Sequence, residues 1–410
     1  MRILAVFRGN ILIMSLSWVL FGIGHAITYP YFPKYIKMLG GSDFEIGLIY
    51  AIQSLFLLLF TIPGGHLTDL LGRKRMIVFF TWLVVVMQFF YAAAPYWTYL
   101  VLIVAVESTM LMYRPALDAI IADSLPDELR AKGFIITYTL PNIPWFFMPL
   151  IGGWLVDSFG VLGLRYGFLI SGLVGIAAAS LRAKFLQETF QAAEGRATIE
   201  KFAEGFIDSY KLFIKSFKLL PSTVKRFVIG EFLIMAPSKV AYYSFGVIFA
   251  SEILGLSASI WGIATSLSVA ISVIAAPFLY KLVEQASVRR WISIGFLLIA
   301  LAYLSFMFLG LPGLMIAAAL TGLSSTLAHS LPPALITSAT PVELRGRANS
   351  HLLISLNIGT TWSAFLMGIL YSWSPLLAFG FSAIMGFLAA LYVQLIVKGE
   401  GRVSSQCLIK

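Results

Sequence analysis

Charged residues are scarce in this sequence, and cysteine is almost absent. Only 12% of the 410 residues are charged, while 59% are hydrophobic; a typical soluble protein is about 25% charged. The chain cannot cover a water-facing surface with polar side chains, which excludes an ordinary soluble enzyme and a disordered chain. Cys407 is the single cysteine, so the sequence excludes an internal disulfide and a cysteine cluster for a metal.

What the chain has instead is a series of long apolar runs. A membrane-spanning helix needs about 20 largely apolar residues, and twelve runs meet this requirement. Their limits are 11–32, 45–64, 76–94, 99–123, 133–156, 164–186, 226–251, 260–280, 291–310, 314–340, 352–371 and 376–397. Segments such as 54–60 lack the alternation of apolar and polar residues that a barrel strand shows. The first run is interpreted as a retained helix, because further runs follow it at once.

The net charge is +10, and the distribution of this charge predicts the topology. Of the 29 lysines and arginines, only Lys34, Lys37 and Arg165 fall in connections that lie outside when the N-terminus is inside. Most of the others, Arg182 included, fall in connections and tails on the opposite side. This asymmetry predicts a multi-pass protein of the plasma membrane with both termini in the cytoplasm. It also explains the basic charge without a nucleic-acid partner.

The longest polar gap, about residues 187–222, separates the sixth and seventh runs. Apolar residues recur within it at helical spacing, from Ile199 to Ile214. This pattern predicts a cytoplasmic amphipathic helix that lies on the membrane or against the bundle. We therefore expect three parts: an N-terminal six-helix bundle at 1–187, a linker at 188–222 and a C-terminal six-helix bundle at 223–410.

An internal repeat relates the two halves of the chain. Residues 126–130 read PDELR and residues 341–345 read PVELR, and the same offset pairs other loops and apolar runs. The offset places six apolar runs on six others. Because six is an even number of membrane crossings, both halves have the same orientation in the membrane. The predicted fold is therefore an all-α integral membrane protein, with twelve transmembrane helices in two pseudo-symmetric six-helix bundles. Transporters with this architecture hold their substrate between the two halves, near the middle of the membrane.

The connection after the second run carries a recognisable motif. Residues 64–75 read GGHLTDLLGRKR, which resembles the signature Gly-x-Leu-x-Asp-x-x-Gly-Arg-Lys/Arg of the major facilitator superfamily. The matching residues are Gly65, Leu67, Asp69, Gly72, Arg73 and Lys74. Residues 114–124 are similar to the pattern of the fourth helix in this superfamily. Residues 149–153 are similar to the end of its helix 5 antiporter motif, although Met148 stands where that motif has glycine.

The resemblance implies a cytoplasmic gate built on this signature. Gly65 and Gly72 are expected to permit a tight turn and a close approach of backbones. Asp69 is expected to pin the first bundle against the positive N-terminal end of the eleventh helix when the cytoplasmic side is closed. The resemblance further implies that Arg73 and Asp123 complete a charge cluster with Asp69. The opposing view is that the basic residues here only determine topology.

Ionisable residues inside the apolar runs are the second set of candidates, because a charge in hydrocarbon costs several kcal/mol. They are His25, Glu107, Arg114, Asp118, Glu231, Lys239 and His329. They fall in the first, fourth, seventh and tenth runs, whereas the third, sixth, ninth and twelfth runs have none in their interiors. Four helices that line one central cavity explain this pattern, and the resemblance implies the same four helices.

The fourth run offers a proton-coupling hypothesis. Glu107, Arg114 and Asp118 are spaced so that they share one face of a regular helix. Arg114 is expected to pair with one of the two carboxylates, and the released carboxylate takes a proton. The alternative is a static ion pair. His25 and His329 are either site residues or hydrogen-bonded core histidines.

The seventh run offers a second group of candidates. Glu231 is a candidate substrate or proton site, with a solvated carboxylate as the alternative. Lys239, close in sequence to Tyr242 and Tyr243, is a candidate for contact with the substrate or a counter-ion. Glu252, near the outer boundary, is expected to be a solvated charge.

These features favour a secondary carrier. The sequence contains neither a Gly-x-x-x-x-Gly-Lys-Ser/Thr loop nor His-Glu-x-x-His, so an ATP-driven pump and a membrane metalloprotease are disfavoured. We expect no enzyme activity, cofactor or metal, and a monomer in the lipid bilayer that takes a small-molecule substrate and protons. The first hypothesis is a proton-coupled exporter of lipophilic or drug-like compounds. The alternatives are a proton symporter that imports a polar or anionic metabolite, which suits the cations Arg114 and Lys239, and a non-transporting membrane sensor.

Overall fold

The computed structural model describes residues 7–190, 199–284 and 287–395, and the regular elements in these ranges are helices. Several of the helices join shorter helical pieces without a loop. Their bounds are α1 Gly9–Met38, α2 Asp43–Leu71, α3 Arg73–Ala93, α4 Trp97–Asp123, α5 Asp127–Thr139, α6 Met148–Phe159, α7 Val161–Phe185, α8 Ile199–Leu219, α9 Ser222–Ile253, α10 Ala258–Val283, α11 Val288–Phe308, α12 Gly310–Ser338, α13 Val342–Trp373 and α14 Pro375–Leu395.

Eleven of the described helices are long and apolar enough to cross a membrane, which makes the chain a multi-pass membrane protein. The fifth predicted span, 133–156, is present as two helices rather than one. α5 ends at Thr139, two short 3₁₀ turns follow, and α6 begins at Met148. Pro141 and Pro144 lie in these turns. Proline has no backbone N–H to donate and clashes with the preceding turn, so a regular helix cannot run through this segment.

Several spanning helices contain irregular turns. α4 is interrupted by a 3₁₀ turn at Leu111–Tyr113. α9 contains π-helical turns at Glu231–Met235 and Phe249–Ile253, and α12 contains one at Ser325–Ser330. Turns of this kind inside an α-helix are frequently found at functional sites. Three of these four turns contain or adjoin candidate residues from the sequence.

The chain forms two compact units. Among the described residues, the first unit comprises 7–32, 56–190 and 199–212, and the second comprises 33–55, 213–284 and 287–395. The first unit is organised around α7, which packs against α1 and α3. The division into parts at 187 and 222 remains a prediction.

The second unit is organised around α11, which packs against α14 and α12. Its interior is rich in aromatic rings, and Phe379 lies at the centre of them. The ring of Phe379 is 4.8 Å from that of Phe249 and 5.5 Å from that of Phe306. Such large buried rings contribute most of the apolar area in a core of this type.

Candidate functional site

The carboxylate of Glu107 is held inside the first unit by two neutral donors. Gln88 Nε2 donates to it at 2.9 Å and the Tyr91 hydroxyl at 2.7 Å, both from α3. Ser171 on α7 donates in turn to Gln88 Oε1 at 3.1 Å. The 3₁₀ turn after Met110 breaks the regular helical register that placed Glu107 on one face with Arg114. Neither of the two alternative pairings predicted for Arg114, with Glu107 or with Asp118, is among the ion pairs between described residues.

Arg114 and Asp118 lie beyond this break and are both exposed on the surface of the first unit. Asp118 accepts a hydrogen bond from the hydroxyl of Tyr138, which is on α5. None of the ion pairs between described residues includes Arg114. A charged guanidinium within a span is costly when it faces lipid. The exposed side chains of Arg114 and Asp118 are therefore suited to a space filled by water or by a ligand.

His25 belongs to a small aromatic cluster in the same unit. Its ring stacks on Tyr29 with the centroids 4.5 Å apart, and Trp145 meets it edge-on at 5.7 Å. Tyr29 and Trp145 also contact each other at 6.3 Å. No sequence pattern distinguishes Trp145 from the other tryptophans, of which the chain has nine in all. The cluster offers flat apolar faces next to one titratable group, which suits an aromatic ligand.

The second unit contains a buried ion pair on α9. Lys239 Nζ lies 2.9 Å from Glu231 Oε1, and the side chains are only 9% and 3% exposed. The alternative of a solvated Glu231 carboxylate therefore does not fit this burial. The π turn that begins at Glu231 and the proline that follows it bring the two side chains together across eight residues of sequence. The ammonium also lies 5.2 Å from the centre of the Phe296 ring, a cation–π contact.

Two buried polar atoms near this pair have no hydrogen-bond partner in the described part of the chain: Glu231 Oε2 and His329 Nδ1. His329 lies on the π turn of α12 and interacts electrostatically with Lys239. Unsatisfied buried polar atoms are costly. Both atoms therefore have unused hydrogen-bonding capacity toward the other residues that the structure describes.

The two tyrosines expected near Lys239 differ in exposure, although their rings contact each other edge-on with centroids 6.1 Å apart. Tyr242 is buried and packs on Trp261, with ring centroids 5.1 Å apart. Tyr243 is 52% exposed. Tyr242 therefore belongs to the aromatic core, whereas Tyr243 is available to a ligand or to lipid.

The signature segment is mostly helical rather than a loop, because α2 continues to Leu71. The turn is made by Gly72 alone, whose φ of 87° is readily adopted only by glycine. A Cβ on Gly65 meets no described atom within 4 Å, whereas one on Gly64 collides with the carbonyl oxygen of Met112. The close approach that we expected at Gly65 is thus made by Gly64.

The charge cluster of the signature contains an ion pair between Arg73 and Asp123. Thr189, just after α7, donates to Asp123 Oδ2 at 3.0 Å and lies 3.4 Å from Arg73 Nη1. Glu188 accepts from the backbone N–H groups of Arg73 and Lys74 at 3.1 and 3.0 Å, and so places a negative charge at the positive N-terminus of α3. Sequence reasoning missed Glu188 and Thr189. Asp69 is exposed on the surface of this unit.

Arg182 is the largest omission of the sequence analysis. It was counted with the loop residues, but it is only 1% exposed inside the first unit, and the sixth span therefore does carry an interior charge. Its Nε donates to Ser17 Oγ and its Nη1 to Thr81 Oγ1, each at 2.9 Å. The guanidinium also lies 5.0 Å from the centre of the Phe21 ring. These partners are hydroxyls and a ring rather than a carboxylate.

An ion-pair group joins three elements of the second unit. Lys37 Nζ lies 2.8 Å from Asp43 Oδ1 and 3.3 Å from Glu252 Oε2. Glu252 is therefore paired rather than simply solvated. α2 and α13 also approach each other closely beside this group. A Cβ added to Gly47 would lie only 2.6 Å from the Cα of Gly368.

Within the described ranges, no group of three or more histidine, cysteine, aspartate or glutamate side chains is placed to hold a metal ion. Long apolar helices with buried and exposed charges at mid-span define a membrane transporter.

The chain belongs to the Major Facilitator Superfamily, whose family model matches residues 14–236 and 227–406. It is thus a secondary transporter of small molecules and not an enzyme. It is similar to the quinolone resistance protein NorA of Staphylococcus aureus, with 30% identity over 171 residues. That match covers 41% of this chain and 42% of NorA. The uncharacterized MFS-type transporter YqjV of Bacillus subtilis is 24% identical over 275 residues, which are 65% of this chain and 64% of YqjV.

Solved structures share the fold at low sequence identity. A mutant of the nucleoside transporter NupG is 13% identical with a TM-score of 0.72, over 93% of this chain and 99% of that one. A POT family transporter in complex with 5-aminolevulinic acid is 14% identical with a TM-score of 0.74, over 95% of each chain. A bacterial homologue of the human lysosomal transporter Spinster is 17% identical with a TM-score of 0.72, over 94% of this chain and 95% of that one.

Proposed function

We propose that this protein exports lipophilic or drug-like compounds across the plasma membrane in exchange for protons, by alternating access, with both termini in the cytoplasm. The observation that carries the proposal is the buried pair of Glu231 and Lys239, together with the unpartnered second oxygen of Glu231. In this proposal Asp69, Arg73 and Asp123 form the gate at the cytoplasmic ends of the helices.

The buried pair supplies a way to couple a proton to a change of conformation. A buried ion pair is held by the attraction of its charges against a large cost of desolvation. Protonation of Glu231 removes one charge and leaves Lys239 as an uncompensated cation, so the paired arrangement loses its stabilisation. Any conformation that gives Lys239 another partner or access to water is then favoured. A proton bound from one side and released to the other drives the cycle.

Two observations support a lipophilic substrate. The cluster of His25, Tyr29 and Trp145 presents aromatic faces in the first unit. The similarity to NorA, a protein named for quinolone resistance, covers 41% of this chain. Quinolones are planar aromatic compounds, and planar ligands stack well on aromatic side chains.

The test is dye transport in proteoliposomes with an imposed pH gradient. Purified protein is expected to drive movement of ethidium, a flat lipophilic cation, against a counter-flow of protons reported by an internal pH dye. Glu231→Gln is expected to abolish the coupled proton flux, because a neutral amide cannot exchange a proton. Glu343→Gln, which alters an exposed glutamate, is the matched control and should behave as the parent protein. Dye movement that persists at full rate in Glu231→Gln would refute proton coupling through this residue.

One observation favours a second candidate, the import of an anionic metabolite with protons. Arg114 is exposed and takes part in none of the ion pairs between described residues, so it is suited to bind a carboxylate or phosphate. The same proteoliposomes distinguish the two functions. Accumulation of small organic anions driven by the pH gradient, abolished by Arg114→Gln and without dye movement, supports the importer.

A further inference from the structure

The break between α5 and α6 positions Trp145 against α1. A Cβ on Gly22 would lie only 2.6 Å from the carbonyl oxygen of Pro141, so the broken segment packs directly on the backbone of α1. Trp145, four residues further along the chain, meets His25 edge-on and also contacts Tyr29. All of these residues belong to the first unit. The irregular backbone thus completes the aromatic cluster in which His25 stacks on Tyr29.

The rings of this cluster are accessible rather than enclosed in a core. The side chain of His25 is exposed, and those of Tyr29 and Trp145 are partly exposed. Aromatic rings pack favourably on one another in offset-stacked and edge-on arrangements. A flat ring system can therefore be added to the rings that are already in place.

Arg114, on α4, brings a positive charge to the same part of the first unit. It interacts electrostatically with His25. Its side chain is exposed, and none of the ion pairs between described residues includes it. A guanidinium is permanently charged and binds a carboxylate through two parallel hydrogen bonds. An anionic group held by Arg114 thus lies beside the aromatic rings.

The acidic neighbours of Arg114 are engaged with other partners. Asp118 accepts a hydrogen bond from Tyr138, whose ring meets that of Trp18 edge-on at 5.0 Å. Glu107 accepts its hydrogen bonds from two side chains of α3. Both carboxylates nevertheless interact electrostatically with Arg114. A ligand with one negative charge therefore suits the site better than a dianion, which both carboxylates repel more strongly.

We propose that these residues form one binding site, named here the ring–arginine site and formed by His25, Tyr29, Arg114 and Trp145, which binds planar aromatic monocarboxylates. The ring system of the ligand stacks in the aromatic cluster, and its carboxylate accepts two hydrogen bonds from Arg114. This inference rests on the proposed transport function and names one substrate class for it. The aromatic cluster, which favours lipophilic compounds, and the exposed arginine, which favours anions, are then two parts of the same site.

The experiment measures binding to the purified full-length protein by isothermal titration calorimetry with matched ligands. 2-Naphthoate has a flat ring system and a carboxylate, 2-naphthamide has the same rings and a neutral amide, and cyclohexanecarboxylate has the charge without aromatic faces. We expect 2-naphthoate to bind about tenfold more tightly than either of the other two, because hydrogen bonds to a charged group and ring stacking each add to the affinity. 2-Naphthyl phosphate, the dianionic analogue, is expected to bind less tightly than 2-naphthoate.

Single variants assign the two parts of the site. Arg114→Gln is expected to lower the affinity for 2-naphthoate to that for 2-naphthamide, with the affinity for 2-naphthamide unchanged. This unchanged affinity also shows that the variant is folded. Trp145→Leu is expected to weaken both naphthalene ligands by about fivefold and to leave cyclohexanecarboxylate unaffected. The control Arg290→Gln removes an exposed arginine of the second unit and should bind all ligands as the parent protein does.

Equal affinities for 2-naphthoate and 2-naphthamide in the parent protein overturn the proposal. Absence of binding of both naphthalene ligands also overturns it, as does a preference for 2-naphthoate that survives in Arg114→Gln. Calorimetry requires no transport, so this result is distinguishable from the outcome of the dye and proton measurements. Exchange of ethidium for protons without any preference for the carboxylate refutes the ring–arginine site alone, whereas a selective site without exchange refutes the proposed transport function alone.

Discussion

The most informative stability prediction concerns Arg182, a cation buried in the first unit without a carboxylate. Its hydrogen bonds to Ser17 and Thr81 are each 2.9 Å long. Hydrogen bonds from a charged donor contribute about 1.5–3 kcal/mol each. The desolvation of the guanidinium opposes them, so the net effect of replacing Arg182 alone is a small difference between large terms.

A double-mutant cycle removes that ambiguity, because the desolvation cost is common to both sides of the cycle. We consider Arg182→Met, Thr81→Val and the combination of both. Arg182→Met leaves the Thr81 hydroxyl buried without this donor, and Thr81→Val leaves one guanidinium nitrogen unsatisfied. The double variant removes both partners together, which is less costly than the sum of the two. We expect a coupling free energy of about 1–2 kcal/mol.

The assay is reversible unfolding of the purified protein in mixed micelles, followed by tryptophan fluorescence with increasing denaturant. The four proteins of the cycle give four free energies of unfolding, and the coupling is their double difference. A coupling below about 0.5 kcal/mol, the usual limit of additivity for independent sites, refutes the assignment of Thr81 as a stabilising partner. An increase of stability in Arg182→Met alone has a different meaning. It shows that the desolvation of the Arg182 guanidinium destabilises the fold more than its hydrogen bonds stabilise it. The coupling free energy still measures the hydrogen bond between Arg182 and Thr81.

Two further predictions concern charges that the sequence left unassigned. Lys37→Glu is expected to lower transport several-fold because it places three acids together, and the double variant Lys37→Glu, Glu252→Lys should recover most of the loss. Initial transport rates in proteoliposomes measure both effects. A double variant that transports no faster than Lys37→Glu alone contradicts the pairing. Glu188→Gln removes the negative charge from the N-terminus of α3 and should lower the free energy of unfolding by about 0.5–1 kcal/mol; an unchanged unfolding curve, as expected for the control Glu343→Gln, speaks against the capping role.

Eleven of the twelve predicted spans are present as long apolar helices, and there is a physical reason for this agreement. Lipid offers no hydrogen bonds, so each crossing requires a long apolar helix that the composition reveals. The interruption at 140–147 was missed because it is a matter of backbone rather than hydropathy. The signal was present in Pro141 and Pro144, but prolines also occur inside continuous spans, as Pro63 does in α2.

The candidate site was predictable in its charges and not in their partners. Glu107 and Lys239 were identified because charge within a span is costly. The spacing rule left Glu107 and Asp118 as alternative partners of Arg114, and a 3₁₀ turn between Glu107 and Arg114 alters the helical register that this rule assumes. Arg182 lies three residues before the C-terminal end of α7, where hydropathy does not distinguish a buried arginine from one in a loop. The partners of Glu188 on α3 are more than a hundred residues away in the chain, beyond the reach of any local pattern.

The irregular turns and the charged residues coincide, and this has a physical consequence. α9 has its π turn at Glu231 and α12 has its π turn at His329. A π turn leaves backbone groups that need another partner in a membrane, and in α9 the carbonyl of Phe232 accepts a hydrogen bond from Trp362 Nε1 at 3.1 Å. Where side chains accept or donate some of the backbone hydrogen bonds, the helix can change its register by exchanging these side-chain partners. A regular helix must break several of its own backbone hydrogen bonds to make the same change. Loss of the charge on Glu231 therefore acts on the part of α9 where a change of backbone costs least.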